Sequence, residues 1–223
     1  MKNLIKVVLI LAVALLMMSC GEDGKLTVIN KSSEEIDVTI DGVSDDDDLS
    51  YNEKSETQTW FIATGDEKNV PITATGDWLL GYDTEVTIGP GDDVLHEINS
   101  NAGKIQINNY HPSLSIWYVY ISEENATDWG NDQLGSDVIA PGEFYAWYAS
   151  SGFTWDVKLV DGNATAYEIY GTTDLNAEGT IHYNFTQNSI AVPNSPIKTK
   201  YQDVVRKNVA TPNVSVKKIG KVK

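Results

Sequence analysis

The chain has 223 residues, 41% of them hydrophobic, with six tryptophans, three histidines, one cysteine and a formal net charge of −16. That is the composition of a folded protein large enough for one sizeable domain or two small ones. A single cysteine excludes an intrachain disulfide framework, and the absence of any Cys-x-x-Cys or Cys/His set excludes zinc-finger and redox-centre patterns. The charge is unevenly placed: between Gly21 and Phe185 six lysines face 31 acidic residues, whereas after Phe185 eight basic residues face only Asp203. An acidic body repels nucleic acid backbones, so no nucleic-acid partner is expected.

The first twenty residues have their own pattern. Lys2 and Lys6 precede an apolar run from Val7 to Met18, then Ser19 and the lone cysteine, Cys20. A positive start, a short apolar stretch and a small residue at a cut site make a secretory signal. The run is shorter than the roughly 20 apolar residues that span a bilayer. Leu16-Met17-Met18-Ser19-Cys20 resembles the lipobox of bacterial lipoproteins, with Met17 and Met18 standing where Leu and Ala or Ser are commoner. The resemblance implies cleavage between Ser19 and Cys20, lipid on the Cys20 sulfur and an acyl chain on its new amino group. The partner so implied is a membrane, reached through the lipid on Cys20. The location is the cell envelope, at the outer membrane, on its periplasmic face or the cell surface.

Residues 1–19 are thus read as signal peptide and 20–24 as a lipidated polar tether. From Lys25 the pattern is β. Leu26–Ile29 and Ile36–Ile40 alternate apolar and polar residues across an Asn30-Lys31-Ser32-Ser33 turn, the mark of half-buried strands. Further strands are expected at Gln58–Ala63, Val70–Ala74, Glu85–Ile88 and Val94–Ile98, with turn clusters such as Gly89-Pro90-Gly91-Asp92 between them. Many short strands and no sustained helical periodicity after residue 20 predict an all-β fold of sandwich or barrel type.

The pattern then repeats. Gly24-Lys25-Leu26-Thr27-Val28-Ile29-Asn30 matches Gly103-Lys104-Ile105-Gln106-Ile107-Asn108-Asn109 at a shift of 79, and Leu95–Asn99 matches Ile181–Phe185 at a shift of 86, which pairs His96 with His182. Val70–Ala74 corresponds to Trp155–Val160, and the extra residues of the second copy are expected in an Asn125–Val138 loop. Similarity in fixed order at a near-constant shift indicates duplication. The expected architecture is two tandem small β-sandwich units, 25–99 and 103–186, followed by a basic, mostly flexible tail, 187–223, in which Val214–Ile219 is a candidate edge strand.

The second copy is rich in aromatic residues. Ile116-Trp117-Tyr118-Val119-Tyr120-Ile121 and Phe144-Tyr145-Ala146-Trp147-Tyr148 carry large residues on both faces, as a strand covered on both sides does. With Asp128-Trp129-Gly130-Asn131-Asp132-Gln133-Leu134, a Pro141-Gly142 turn and Trp155-Asp156-Val157, the stretch Gly103–Phe185 resembles a small β domain recurring in uncharacterised secreted and lipid-anchored bacterial proteins. Trp155 stands where that pattern has Tyr. The resemblance implies a fold and no activity.

Candidate chemistry is sparse. Asp45-Asp46-Asp47-Asp48 lacks the alternating Asp-x-Asp-x-Asp-Gly spacing that wraps one calcium ion and reads as a solvated hairpin loop. Asp128, Asn131, Asp132 and Asp137 surround Trp129 in a polar loop, where core demand is weak. Trp129 with Asp128, Asn131 and Asp132 is the candidate ligand-binding group, for a glycan, a protein or calcium. Trp117, Tyr145, Trp147, Tyr148 and Trp155 are further stacking candidates whose default role is core packing. No Gly-x-Ser-x-Gly, His-Glu-x-x-His or phosphate-cradling loop is present, so no catalytic residue and no cofactor is expected. The reading is a non-catalytic binding or structural lipoprotein of the envelope. A glycan-active enzyme with an acidic cleft and a structural subunit of a surface assembly stay open as alternatives.

Overall fold

A computed structural model describes residues 21–44, 48–192, 194–196 and 198, and the backbone of Val216–Val222. Ser19, Cys20 and Asp45–Asp47 lie outside these residues. The described residues form strands, turns and loops with no helix, and the chain divides between Asn99 and Ser100 into two compact units.

The first unit contains β1 (Glu22–Asn30), β2 (Asp37–Ile40), β3 (Val43–Ser44), β4 (Gln58–Ile62), β5 (Lys68–Gly76), β6 (Leu79–Ile88) and β7 (Asp93–Ile98). They form two sheets, ordered β4-β1-β7 and β3-β2-β5-β6. β1 runs antiparallel to β4 and parallel to β7. The alternation seen in the sequence points one set of side chains inward. Leu26, Val28, Val38, Ile72, Ile88 and Ile98 form an almost wholly aliphatic core, each worth about 1.5–3 kcal/mol when fully buried.

The second unit contains β8 (Ala102–Asn109), β9 (Ile116–Glu123), β10 (Phe144–Ser150), β11 (Trp155–Asp161), β12 (Ala166–Ile169), β13 (Thr180–Phe185), β14 (Ala191–Val192) and β15 (Val216–Val222). Its sheets are β13-β8-β10-β15 and β14-β12-β11-β9. Its core adds Trp147, Trp155, Tyr145, Tyr183 and Phe185 to the aliphatic residues. The two units share one plan. In each, the first strand lies between a later parallel strand, β7 or β13, and an antiparallel partner, β4 or β10. In each, the second sheet contains β2-β5-β6 or β9-β11-β12.

The shift of 79 has a chemical core. Asn30 closes β1 with its side-chain NH2 donating to the carbonyls of Glu34 and Leu49, both at 2.7 Å, while its oxygen accepts the Ser32 amide at 2.7 Å. Asn109 does the same at the end of β8. It donates to Leu114 O at 2.9 Å and Ile139 O at 2.8 Å, and accepts the His111 amide at 3.0 Å. Both asparagines are buried. A buried asparagine with three partners satisfies backbone groups that a strand end otherwise strands away from water.

Three expectations need correction. First, the shift at the last strand is 87, not 86. His96 lies opposite Val28 and His182 opposite Gln106, so His96 corresponds to Tyr183 and His182 to Leu95. A slip of one residue exchanges the faces of a strand. His96 is accordingly half-buried while His182 is exposed. Second, Glu22–Gly24 are not a tether but the start of β1, paired with Ile62, Phe61 and Trp60. Strand pairing uses the backbone, so polar side chains do not prevent it. Glycine at 24 is required by packing, since a Cβ there would lie 2.6 Å from Ile88 Cγ2. Third, the residues after 186 are not all tail. Ala191–Val192 pair with β12 and Lys198 is buried, whereas the pairing of Val216–Val222 with β10 agrees with the edge strand expected from Val214 to Ile219.

The insertion that separates the units lies after β9. A bridge joins Ile36 to Leu49 in the first unit and Ile116 to Ile139 in the second, 13 and 23 positions apart. The longer loop of the second unit, which contains Trp129, shapes the site described next.

Candidate functional site

β11 is buried along its whole length. Trp155, Val157 and Leu159 face the core, which leaves Asp156 and Lys158 on the opposite face. Two ionisable residues buried there need partners. The loop after β9 and residues 194–198 supply them.

Trp129 lies at the centre of this cover and is 1% exposed. Its indole N–H donates to Glu168 Oε1 at 3.1 Å, and its amide donates to Pro196 O at 3.0 Å. Tyr170 lies against its ring with centroids 6.3 Å apart, and the Tyr170 hydroxyl donates to Glu168. Lys198 Nζ sits 5.1 Å and Lys158 Nζ 6.0 Å from the indole centroid. Lys198 forms an ion pair with Asp156 at 2.8 Å, with both side chains fully enclosed, and donates to the Glu123 carbonyl. Lys158 lies 4.2 Å over the Tyr120 ring and donates to Ser195 O at 2.9 Å. Burial lowers the pKa of Lys158, opposed by the charge of Glu168. Burial raises that of Glu123, opposed by Lys198. The cluster is a clamp that fastens Ser195, Pro196 and Lys198 to the sheet and its covering loop.

The expected ligand-binding group is therefore divided by the fold. Trp129 has no face for a ligand, because its ring lies against Lys158, Lys198 and Tyr170 and its N–H is given to Glu168. Asp132 is occupied too. Its Oδ1 accepts the amides of Val119 at 2.9 Å and Leu134 at 3.0 Å, and its Oδ2 accepts that of Gly135 at 2.9 Å. Asp128 is exposed and makes a local turn, accepting the Gly130 amide at 3.2 Å. Asn131 is exposed beside it, its carbonyl accepting from Gln133 at 3.1 Å. Among the described residues, no group of three or more His, Cys, Asp or Glu is placed to hold a metal ion.

Of the aromatic stacking candidates, Trp117 alone reaches solvent, at 49% exposure; Tyr145, Trp147, Tyr148 and Trp155 are buried. Beside it Tyr118, not singled out by the sequence, is 44% exposed. The cause is a bulge. The pairing with β11 passes from Tyr118–Val160 directly to Ile116–Asp161, leaving Trp117 as the extra residue. The indole rests on Gly162, where a Cβ would lie 2.8 Å from Trp117 Nε1. The loop beneath is pinned by Asp161, whose carboxylate accepts the amides of Asn163 at 2.8 Å and Thr165 at 2.9 Å and the Tyr167 hydroxyl at 3.1 Å. Strict alternation places consecutive residues on opposite faces, so no pattern in the sequence announces two neighbouring exposed rings. Trp117 is thus seated on the Gly162 backbone, and the exposed Tyr118 follows it in the chain.

No protein-family model matches the chain, and no curated protein matches it. Among solved structures, it is similar to the Bacillus anthracis TIE protein at 10% identity and a TM-score of 0.28, over 74% of this chain and 34% of that one. The chain thus spans about a third of the length of that protein. It is also similar to a family CBM26 module of Eubacterium rectale Amy13K, solved in complex with maltoheptaose. That match has 12% identity and a TM-score of 0.26, over 77% of this chain and 98% of that one. At these scores neither likeness bears on function.

Proposed function

We propose that the chain is a lipid-anchored lipoprotein of the bacterial envelope with a non-catalytic binding role, and that Trp117 and Tyr118 form its contact platform. The exposed Trp117, seated on Gly162, with the exposed Tyr118 next to it in the chain, carries the reading. Aromatic faces of this kind recognise the apolar side of a sugar ring or an apolar side chain of a protein. The most prominent acids of the second unit support a role other than catalysis: Asp132, Asp156, Asp161 and Glu168 are each committed to amides, a lysine, an indole or a phenol. The anchor rests on Lys2, Lys6, the apolar run and Ser19-Cys20. With β1 beginning at Glu22, acylation of Cys20 holds the first unit directly against the membrane, with only Gly21 between.

Protease treatment of intact cells, with Cys20→Ala alongside, tests the anchor. The wild-type protein is expected in the membrane fraction and the variant in the soluble fraction; equal partitioning of the two rules the anchor out. A glycan array and a crosslinking screen against envelope proteins test the platform. Trp117→Ala is expected to remove the captured ligand while the melting temperature stays unchanged. Capture that survives Trp117→Ala and Tyr118→Ala together excludes the platform.

A further inference from the structure

The duplication shows which edges the molecule leaves open. β2 and β9 are equivalent, and both outer edges are covered, by β3 in the first unit and by backbone bonds to the long loop in the second. β4 and β10 are also equivalent: β4 pairs with β1 through Leu26–Gln58, and β10 with β8 through Ile105–Trp147. The far edge of β10 carries β15, antiparallel from Phe144–Val222 to Ala149–Val216. Among the described residues, nothing pairs with the far edge of β4. Phe61, on that strand, is 69% exposed.

The strand that fills the equivalent place bears Lys217, Lys218 and Lys221 within seven residues. The first unit is the more acidic of the two. From residue 21 to 99 it has four lysines and 20 acidic residues, against two lysines and 11 acids from 100 to 185. An open edge of unpaired N–H and C=O groups is a template for a further strand, and the net negative charge of the unit favours a basic one.

We infer that β4 accepts an extended, lysine-bearing segment of another polypeptide chain, added antiparallel as β15 is added to β10. The backbone ladder supplies affinity and the acidic unit selects for basic segments.

The probe is a fluorescent peptide of residues 216–222, titrated against the full chain in detergent by anisotropy, with amide hydrogen exchange locating the contact. Binding is expected, with new protection confined to Gln58–Ile62. A peptide with its three lysines changed to glutamate is expected to bind about tenfold more weakly, through loss of attraction to the acidic unit. On an edge strand, neighbouring residues turn their N–H groups to opposite sides. Of Gln58→Pro and Thr59→Pro, one therefore breaks the β1 ladder and lowers the melting temperature. The other preserves the fold and is expected to lose peptide binding. Self-association of the wild-type chain that this fold-preserving proline abolishes also supports the inference, with a second copy as donor. Absence of binding, protection only at β10, or binding indifferent to both prolines overturns it.

Discussion

In the first unit the sandwich is filled by Leu, Ile and Val, and the charged residues lie mostly outside it. In the second, Trp147, Trp155, Tyr183 and Phe185 enlarge the core, and Asp156, Lys158 and Lys198 are buried on the far side of β11. The strand plan and the Asn30/Asn109 closure are the same. The duplicated part therefore fixes topology, and what each copy gained afterwards fixes surface. The first kept a short loop and an open β4 edge. The second gained a longer loop after β9, two added strands and a bulge that exposes two rings. The proposed binding surfaces thus belong to the departures from the repeat rather than to the repeat itself.

The largest expected effect breaks the feature that the first unit lacks. Asp156→Leu leaves Lys198 charged and enclosed without a counter-ion, and about 3–5 kcal/mol of second-unit stability is expected to be lost. Pairing it with Lys198→Met removes the stranded charge, so urea denaturation of the double variant is expected to recover most of the loss. Next come Asn30→Ala and Asn109→Ala, each expected to cost about 2–4 kcal/mol through stranded carbonyls and an orphaned amide. Equal losses show that the repeat is energetic as well as topological; a large loss in only one unit sinks that equivalence. Trp129→Phe removes a bond to the Glu168 carboxylate, expected to cost about 1.5–3 kcal/mol, and leaves ligand capture by Trp117 intact. Capture lost with Trp129→Phe but kept with Trp117→Ala exchanges the roles assigned to the two tryptophans.

Much of this was legible in the chain before folding. Alternation at Leu26-Thr27-Val28 and its echo at Ile105-Gln106-Ile107 announced strands and duplication, because a half-buried strand writes its period into the sequence. The asparagine ending each copy of that motif was visible as a match, though not as a clamp, since its partners come from loops up to 30 residues away. The shift of the last strand was mistaken by one because two histidines aligned by identity, whereas the ladder aligns by face. Trp129 was misplaced for the opposite reason. Its neighbours Asp128, Asn131 and Asp132 are polar, so the loop read as solvated, yet loop and strand exchange polar partners that sequence separation conceals. Lys198, in a basic stretch rich in proline, carries no local sign of burial. Its partner Asp156 lies 42 residues earlier.

The smallest expected effects are opposite pH dependences in the two units. In the first, the Lys68 ammonium hydrogen-bonded to Asp41 at 2.9 Å holds that carboxyl below its ordinary value of 3.8, helped by the Trp60 N–H. The folded state therefore binds this proton more weakly than the unfolded chain. The contribution of Asp41 is present above about pH 3.8 and is lost as the pH falls through the folded value. In the second unit, burial holds Glu123 above its ordinary value of 4.5, and its Oε1 is enclosed without a hydrogen-bond partner. Here the folded state binds the proton more tightly. The contribution is complete below about pH 4.5 and is lost as the pH rises through the folded value. Urea midpoints of Glu123→Gln, read against wild type, are expected to improve as the pH rises through that window. Those of Asp41→Asn are expected to worsen relative to wild type on going from acid to neutral pH. Parallel slopes in the two variants contradict the assignment, since a lysine-held, partly exposed carboxyl and one with an enclosed, unbonded oxygen cannot move stability in the same direction.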